Sequence, residues 1–371
     1  MAKHILYLTV RQSHYAAKYQ SQVIAWQELG YDCQQIDLQG NADISPNLQQ
    51  KIAQADLIYI RQELALIKLW QKLRPYLINK FYIVEIPTPL HIYFQEIKNS
   101  TKIAKWKKNT FFIWLIKRRI ADILSQSKMI IEFAEELSPL VLAYKKRIYL
   151  WQNGVNLPKF YGTSHHEAFK HSAIDNFYQH KQLNLILVAN LADYHGLDRL
   201  ILGFAKYYQT KAPEITVQLT IVAGESETLN NSKLLVNQLT LNEYISFTGY
   251  TIHNELFQLY QVANIAIGPI ASYRKNLFQA SSLKLREYAL FGLPSMIDHH
   301  DYDLSSRDYI LQIPSNDTPV DINQLITFYQ HLIKTYSHEL PIIISNYARN
   351  NLLWTHKVKQ LELVLKQNNL I

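Results

Sequence analysis

The segment SSLKLREYALFGLPSMID (residues 281–298) places Lys284, Arg286 and Glu287 at the start of an otherwise apolar helical pattern. Cations at the amino-terminal end of a helix oppose the helix dipole, which favours anions there. A bound phosphate would remove this conflict, because the free backbone N–H groups, the dipole and the cations would converge on one anion. Glu287, one turn further on, would accept hydrogen bonds from hydroxyl groups of the same ligand. The alternative is a helix whose cations reach solvent and pair with Glu287.

Other residues that could do chemistry stand in weaker patterns. His165 and His166 have no partners at metal-ligand spacing, and His91, after EIPTP, is either an acceptor base or a surface histidine. The stretch DHHDYD (residues 298–303) has the residue types of a metal site, but it directly follows a predicted strand and favours a polar loop. We therefore predict no metal and no cofactor. Cys33 is interpreted as a buried free thiol rather than a nucleophile.

The composition excludes several classes of protein. With 371 residues, 48% of them hydrophobic and 18% charged, the chain is long enough for two domains with real cores. One cysteine rules out an internal disulfide and fits a reducing cytoplasm. No apolar run approaches the roughly 18–20 residues that span a bilayer, and MAKHILYLTV is too short in its apolar part for a secretory signal. The net charge of +8 favours an anionic partner: nucleotide, anionic lipid or nucleic acid.

The excess of positive charge is concentrated in residues 98–119. This stretch contains eight Lys and Arg residues and no acid, with aromatic and aliphatic residues between them. Such a mixture can lie on an anionic membrane face, can bind RNA, or can be a solvated helix face beside a core segment. We predict an anionic membrane surface as the partner of this stretch and no nucleic acid.

Two alternating series of strands and helices must position these residues. In the first series, strands are predicted at HILYLTV, CQQIDL, ADLIYIR, FYIVEIP and SKMIIEFA. In the second, they are predicted at LNLILVANL, VQLTIVAG, ISFTGY, NIAIGPI and LPSMID. Strands that alternate with helical patterns predict an α/β protein with two doubly wound parallel sheets.

The pattern also predicts the domain boundaries. Residues 1–157 form a first domain, and residues 182–349 form a second. The intervening stretch 158–181 is polar, has little strand character and is predicted to be a linker. A helix over about 350–371 is expected to pack back on the first domain. Two such units imply a cleft between them, and domain interfaces are where ligand sites concentrate.

Residues 183–298 resemble the nucleotide-binding domain of family 4 glycosyltransferases, which have the GT-B fold of two Rossmann-like domains facing across a cleft. The resemblance rests on LILVANLADYHGLDRLILGF, LTIVAGE, ISFTGYTIHNELFQLYQVANIAIGPI and SSLKLREYALFGLPSMI, in the order and spacing of that family. YHGLDR and SYRKNLFQASSLKLREYALFGLP are similar to a subset of the family involved in capsule and exopolysaccharide assembly. LWQNGVN, DLIYIRQ and VEIPTP resemble the preceding domain of the same subset more weakly.

The resemblance implies roles for individual residues. Lys284 would contact the donor diphosphate, and Glu287 would hold the ribose hydroxyls. His195 and Gly196 take the place of the family's Lys-Gly pair, so His195 would donate a hydrogen bond to the diphosphate. Arg274 would supply a second cation to the phosphates.

The same motifs place the other donor contacts. Tyr250 and Thr251 lie where relatives meet the base, and Ser282 and Leu283 open the helix that carries Lys284. The chain departs from the family at Gln279, where the first glutamate of an E-x7-E motif usually stands near the transferred sugar.

Two other departures remove family features. Asn190 stands near the place of an arginine that relatives often carry, and LTVRQSHY lacks the family's glycine-rich loop. The lost charges imply either altered donor choice or a chain that binds without catalysing.

The implied activity is that of a hexosyltransferase that retains anomeric configuration and requires no metal. It would move a sugar from a nucleotide-diphosphate sugar, with a UDP-sugar favoured, to a growing surface polysaccharide or a lipid-linked saccharide. The location would be cytoplasmic, at the inner face of the cytoplasmic membrane. Two alternatives stay open: a catalytically silent GT-B subunit that stabilises another glycosyltransferase, and a sugar-nucleotide epimerase on the same fold.

Overall fold

The computed structural model describes residues 3–10, 16–38, 44–99, 110–157, 165–209, 213–251 and 253–371. In chain order the strands are β1 His4–Val10, β2 Asp32–Leu38, β3 Leu57–Arg61, β4 Tyr82–Glu85, β5 Met129–Glu132, β6 Ile148–Leu150, β7 Gln182–Val188, β8 Thr216–Val222, β9 Ile245–Phe247, β10 Ile265–Ile267, β11 Ser295–Ile297 and β12 Ile310–Gln312. The α-helices are α1 Ala16–Glu28, α2 Pro46–Gln54, α3 Leu64–Leu77, α4 Leu90–Asn99, α5 Thr110–Gln126, α6 Pro139–Leu142, α7 His165–His180, α8 Leu197–Tyr208, α9 Glu227–Gln238, α10 His253–Val262, α11 Leu283–Leu290, α12 Ile322–Tyr336, α13 Leu340–Asn351 and α14 Trp354–Gln367.

The chain forms two compact units, each built on a six-stranded parallel sheet. The first unit contains Met1–Asn153 and Trp354–Ile371, and the second contains Gly154–Leu353. The strand order is β2-β1-β3-β4-β5-β6 in the first sheet and β12-β11-β10-β7-β8-β9 in the second. In each sheet the direction in which successive strands are added reverses once. The reversal lies between β1 and β3 in the first unit and between β7 and β10 in the second. In open parallel sheets, ligands bind outside the carboxyl ends of the strands near such a reversal.

The apolar strand sequences fit parallel sheets that are covered on both faces. β3, β4 and β5 are buried at every position, as expected for strands that are covered by helices on both faces. In the second unit, β7 pairs in parallel with β8 and β10, with Leu185 opposite both Leu219 and Ile265. Continuous apolar runs therefore supply a two-sided core in each unit.

The stretch 158–181, for which the composition predicts a linker, requires a correction over its described part. Residues 165–180 form α7, and Ala173, Ile174 and Phe177 on it are buried against the second unit's core. The Asn264 side-chain amide donates to the Ala173 carbonyl at 2.9 Å. A single buried face is enough to hold this helix, so its polar composition is misleading. Residues 158–164 lie outside the described ranges.

The last helix completes the first unit. The Trp354 ring packs edge-on against Trp151, with 5.7 Å between the ring centroids. Trp151 Nε1 donates to the Lys357 carbonyl at 3.0 Å, and Tyr31 donates its hydroxyl proton to Glu362 at 2.8 Å. These contacts attach α14 to elements from the beginning of the chain.

A buried charge network closes the carboxyl end of β4. Glu85, fully buried, accepts hydrogen bonds from Lys18 Nζ at 2.9 Å, from the Tyr19 hydroxyl at 2.7 Å and from the Tyr59 hydroxyl. Burial by itself raises the pKa of Glu85, but Lys18, Arg61 and the two hydroxyl donors outweigh it, and the net pKa lies below the ordinary value. The carboxylate is therefore ionised and compensated inside the first unit.

Among the described residues, no helix is both long and apolar enough to cross a bilayer.

Candidate functional site

A pocket with a volume of about 480 Å³ opens in the second unit at the carboxyl ends of β7 and β8. Its walls are formed by residues 188–190 at the end of β7, residues 222–224 at the end of β8, and residues 250–251 after β9. Side chains from α10 and α11 complete it. The pocket therefore lies at the sheet edge where a parallel α/β unit is expected to bind ligands.

Lys284 and Glu287 lie side by side in this pocket. Lys284 Nζ is 2.9 Å from Glu287 Oε2, and the Tyr260 hydroxyl donates to Glu287 Oε1 at 3.0 Å. The Lys284 side chain is 38% exposed and the Glu287 side chain 27%. An ammonium group has three donors and a carboxylate has about four acceptor positions, so both groups keep capacity for a ligand. The arrangement offers a cation to an anion and a carboxylate to hydroxyl groups.

The start of α11 has no side-chain cap. Ser282 occupies the N-cap position, but its side chain makes no capping hydrogen bond to the helix. Leu283 is the first residue of the helix, and Lys284 is the second. The first N–H groups of the helix are therefore not satisfied by the Ser282 hydroxyl.

Arg286 has a different role from the ligand contact that the helix start suggests. Its side chain is fully buried and forms a two-pronged ion pair with Asp301, together with a 2.8 Å contact from Nη2 to Asp303. Burial lowers the pKa of Arg286, but the two carboxylates outweigh it, and the net pKa is raised. Arg286 thus fixes α11 to the loop after β11 and does not reach the pocket lining.

The same contacts explain the stretch DHHDYD. Asp301 and Asp303 are the partners of Arg286, and Asp298 accepts from the Ser272 backbone N–H and the Ser315 hydroxyl at 2.7 Å each. Among the described residues, no group of three or more His, Cys, Asp or Glu side chains is arranged to hold a metal ion. The aspartates bind protein groups, as expected for a polar loop.

His195 and Gly196 end a short 3₁₀ helix, Asp193–His195, that follows β7. Gly196 has φ of +69°, and a Cβ there would lie 2.9 Å from Ile270, so glycine is required for this close approach to the loop after β10. His195 Nδ1 is 3.1 Å from both the Ala192 amide nitrogen and the Ala192 carbonyl oxygen, so it accepts from the amide in one neutral tautomer and donates to the carbonyl in the other. His195 lies at the strand-order reversal but not among the residues that line the pocket.

The environment of His195 predicts an acid-sensitive contribution to stability. Burial is the main reason why the pKa of His195 is lowered from 6.5 to about 4; a hydrogen bond that Nδ1–H donates to the Ala192 carbonyl opposes this, and the charge of Lys275 adds to it. The unfolded chain therefore binds this proton at a higher pH than the folded chain. The contribution is complete above pH 6.5 and is lost as the pH falls toward about 4, with a total of roughly 3 kcal/mol.

The unfolding free energy of the wild type should fall between about pH 7 and pH 4.5. In His195→Gln we expect this fall to be smaller by roughly 2 kcal/mol. Urea titrations at the two pH values measure the difference. His180→Gln, which replaces an exposed histidine on α7, serves as the control. Equal losses in the wild type and in His195→Gln would contradict the prediction.

Arg274 pairs with carboxylates and does not line the pocket. Its guanidinium makes two hydrogen bonds to Asp198, at 2.8 and 2.7 Å, and one to Asp317 at 2.8 Å. The hydrogen bonds to Asp198 are the main reason why its pKa is raised. A phosphate would have to replace one of these carboxylates to bind Arg274.

Gln279 lies in an extended segment beside the loop after β11. The segment pairs with His300, whose N–H donates to the Phe278 carbonyl at 2.8 Å, and the Tyr302 hydroxyl is 3.4 Å from Gln279 Oε1. Gln279 does not line the pocket.

The structure thus brings together four of the predicted site residues and separates the others from them. The four that line the pocket are Lys284, Glu287, Tyr250 and Thr251. Those outside its lining are His195, Gly196, Arg274, Gln279, Ser282 and Leu283. His91 lies in the first unit, exposed at the second position of α4.

Several solved structures are similar to the chain over almost its whole length. The sucrose-phosphate synthase of Thermosynechococcus elongatus is 17% identical, with a TM-score of 0.64 and 98% of both chains covered. A glycosyltransferase from Rickettsia africae is 13% identical, with a TM-score of 0.64 and 99% of this chain and 98% of that one covered. Anabaena HepE in complex with UDP-glucose is 13% identical, with a TM-score of 0.61 and 98% of this chain and 99% of that one covered.

The chain has the GT-B fold. The predicted fold class, with two doubly wound parallel sheets, is confirmed. A comparison with family models finds no match, and neither does a comparison with curated proteins.

Three aromatic residues in the pocket of this GT-B protein are missing from the sequence-based predictions. Tyr260, Phe257 and Phe291 line the pocket, and the rings of Tyr260 and Phe291 lie 4.9 Å apart between centroids. The available signal was the i, i+4 pair Leu256 and Tyr260 on α10, which predicts a buried helix face but not which neighbour it meets. The position of Tyr260 beside Glu287 depends on how α10 packs near α11.

Proposed function

We propose that the chain is a glycosyltransferase that uses a nucleotide-diphosphate sugar as donor, with a UDP-sugar favoured. The observation that carries this proposal is the placement of Lys284 and Glu287 next to each other in a pocket with aromatic walls. The cation suits the diphosphate, the carboxylate suits the ribose hydroxyls, and the aromatic rings suit the base. Anabaena HepE, which shares the fold, has been solved in complex with UDP and with UDP-glucose.

The chemistry that this site must assist is departure of the nucleoside diphosphate from the anomeric carbon. Negative charge accumulates on the leaving phosphate oxygen, and preorganised donors stabilise it. Lys284 and the amino-terminal end of α11 are the groups best placed for this task. His195, neutral at pH 7 because its pKa is lowered to about 4, would contribute a hydrogen bond rather than a charge. Arg274 would contribute after exchanging a carboxylate partner for phosphate.

The acceptor and the outcome of the reaction are also part of the proposal. Resemblance to the capsule and exopolysaccharide subset supports retention of anomeric configuration, a hexosyl donor, and a growing surface polysaccharide or lipid-linked saccharide as acceptor. His91 is the candidate base on the acceptor side. A lipid-linked acceptor would place the enzyme at the inner face of the cytoplasmic membrane.

Tyr250 provides a test of base binding. Its side chain is 77% exposed at the pocket, after β9, and stacking of a base on an aromatic ring contributes about 1–3 kcal/mol. We therefore expect Tyr250→Ala to weaken UDP binding by at least about fivefold, and Tyr250→Phe to keep most of the affinity. Titration calorimetry measures both. Tyr178→Ala, on the 57% exposed Tyr178 of α7, is the matched control and should bind UDP normally.

The activity itself is tested by incubating the purified chain with a panel of UDP- and GDP-sugars. A thermal-shift screen first selects the nucleotides that bind. Release of nucleoside diphosphate that depends on an added saccharide acceptor, and that is lost in Lys284→Ala, supports the transferase.

Two results would instead favour the alternatives. Binding of sugar nucleotides without turnover would favour a catalytically silent partner of another glycosyltransferase. This alternative is supported by Gln279, which stands where the family usually has a glutamate. Release of free UDP without an acceptor, together with a new epimer, would favour an epimerase.

A further inference from the structure

The amino-terminal half of α5 carries two apolar faces. Ile113, Ile116 and Ile120 are buried in the first unit's core. On the other side, Phe111 is 69% exposed and Trp114 is 51% exposed. Isolated exposed apolar residues are common and need no explanation, but these two are three positions apart on one helix face. The core packing of α5 does not account for them.

The two exposed rings form a small apolar surface. Their centroids are 5.9 Å apart and their planes are inclined by 25°, so the rings stack on each other in solvent. Arg118, four positions after Trp114, lies with its guanidinium carbon 5.6 Å from the centre of the Trp114 ring. Aromatic rings beside a cation on one helix face are typical of segments that lie at a membrane–water boundary.

The charges around this surface are mostly positive. Lys98, Lys117 and Arg118 are exposed, and Lys117 Nζ is 5.2 Å from the centre of the Phe94 ring on α4. The nearest acid along α5 is Asp122, which pairs with Arg74 Nε at 3.2 Å. The exposed carboxylate on α4 is Glu96. Cations therefore outnumber acids on this part of the first unit.

We propose that the Phe111–Trp114–Arg118 face of α5 binds an anionic lipid bilayer. Phe111 and Trp114 enter the headgroup region, while Arg118, Lys117 and Lys98 bind lipid phosphates and anionic headgroups. Charge complementarity selects this occupant, because Lys98, Lys117 and Arg118 are exposed on α4 and α5, whereas Asp122 is already paired with Arg74. Residues 100–109 lie outside the described part of the chain, and the proposed surface does not include them.

The first experiment measures cosedimentation of the full chain with vesicles. We expect binding to phosphatidylcholine vesicles that contain about one third phosphatidylglycerol, and at least about fivefold weaker binding to pure phosphatidylcholine. The double variant Phe111→Ser, Trp114→Ser should lose at least about fivefold in bound fraction. Leu363→Ser, on the 52% exposed Leu363 of α14 in the same unit, is the matched control and should bind normally.

A second experiment shows whether the helix face enters the lipid. Cys33 is fully buried and its thiol pKa is raised by burial, so a thiol introduced by Thr110→Cys is labelled selectively with a polarity-sensitive fluorophore. Thr110 is exposed four positions before Trp114, and this variant keeps both rings. We expect a blue-shifted, brighter emission on the anionic vesicles and no change on the neutral ones. This readout does not depend on whether the double variant folds well.

Three results would overturn the proposal. The first is equal vesicle binding by the double variant and the wild type, and the second is an unchanged emission on anionic vesicles. The third is that a homopolymeric RNA competes with the vesicles for the chain, while the double variant still binds both the RNA and the vesicles. The assays contain no sugar nucleotide, so they are independent of the proposed function. Lys284→Ala should bind vesicles normally even if it loses all donor binding.

Discussion

Replacing Lys284 or Glu287 with alanine is expected to lower donor affinity or turnover by at least about tenfold in each case. A hydrogen bond to a charged group contributes about 1.5–3 kcal/mol, and 1.4 kcal/mol corresponds to a factor of ten. Lys284 would lose its contact with the diphosphate, and Glu287 would lose two contacts with ribose hydroxyls. Binding of UDP by calorimetry and release of nucleoside diphosphate measure the two effects separately.

The two variants should remain folded, because the ion pair that they break is partly exposed and joins neighbouring turns of one helix. Such pairs contribute little to stability. Lys206→Ala, on the exposed face of α8, removes a lysine of the same unit at a distance from the pocket and serves as control. Wild-type activity in both Lys284→Ala and Glu287→Ala would refute the assignment of the site.

Arg286→Leu is expected to have the largest effect on stability. Removing one partner of a buried ion pair usually costs about 3–5 kcal/mol, because the remaining charge stays buried without compensation. Here both Asp301, fully buried, and the largely buried Asp303 would lose the guanidinium. For a unit of this size, the melting temperature should fall by roughly 10 °C.

A double-mutant cycle tests whether the ion pair is the cause. Arg286→Leu combined with Asp301→Leu should recover part of the stability that Arg286→Leu loses, since it also removes the fully buried carboxylate and leaves only that of Asp303 without its partner. Arg286→Lys should be intermediate, because lysine keeps the charge but not the two-pronged geometry. Lys233→Ala, which breaks a partly exposed pair with Glu225, should change the melting temperature little. A decrease of less than about 2 °C in the melting temperature of Arg286→Leu would contradict the prediction.

Local sequence patterns predict most of the fold and part of the site. Apolar strands between helical patterns are a strong signal, because a strand covered on both faces must be apolar throughout. β6 and β12, each at one edge of its sheet and three residues long, lie outside the predictions. Helix α7 is absent from the predictions because polar residues dominate its sequence around the buried Ala173, Ile174 and Phe177.

Arg286 and the stretch DHHDYD show what a linear pattern leaves open. Each looks like a ligand site by itself: a cation at a helix start, and a cluster of acids and histidines. In the folded chain, the carboxylates of Asp301 and Asp303 neutralise Arg286. Their separation of 15 and 17 positions corresponds to no helical or strand repeat, so only the packing of α11 on the next loop reveals the pairing.

The attachment of α14 to the first unit affects the order in which the chain acquires its structure. Trp151 and Tyr31 find their hydrogen-bond partners on α14, after the whole of the second unit has been synthesised. On the ribosome, the second unit can therefore reach its native state while the first still has an uncovered tryptophan. A nascent chain halted before Trp354 would present that surface to chaperones.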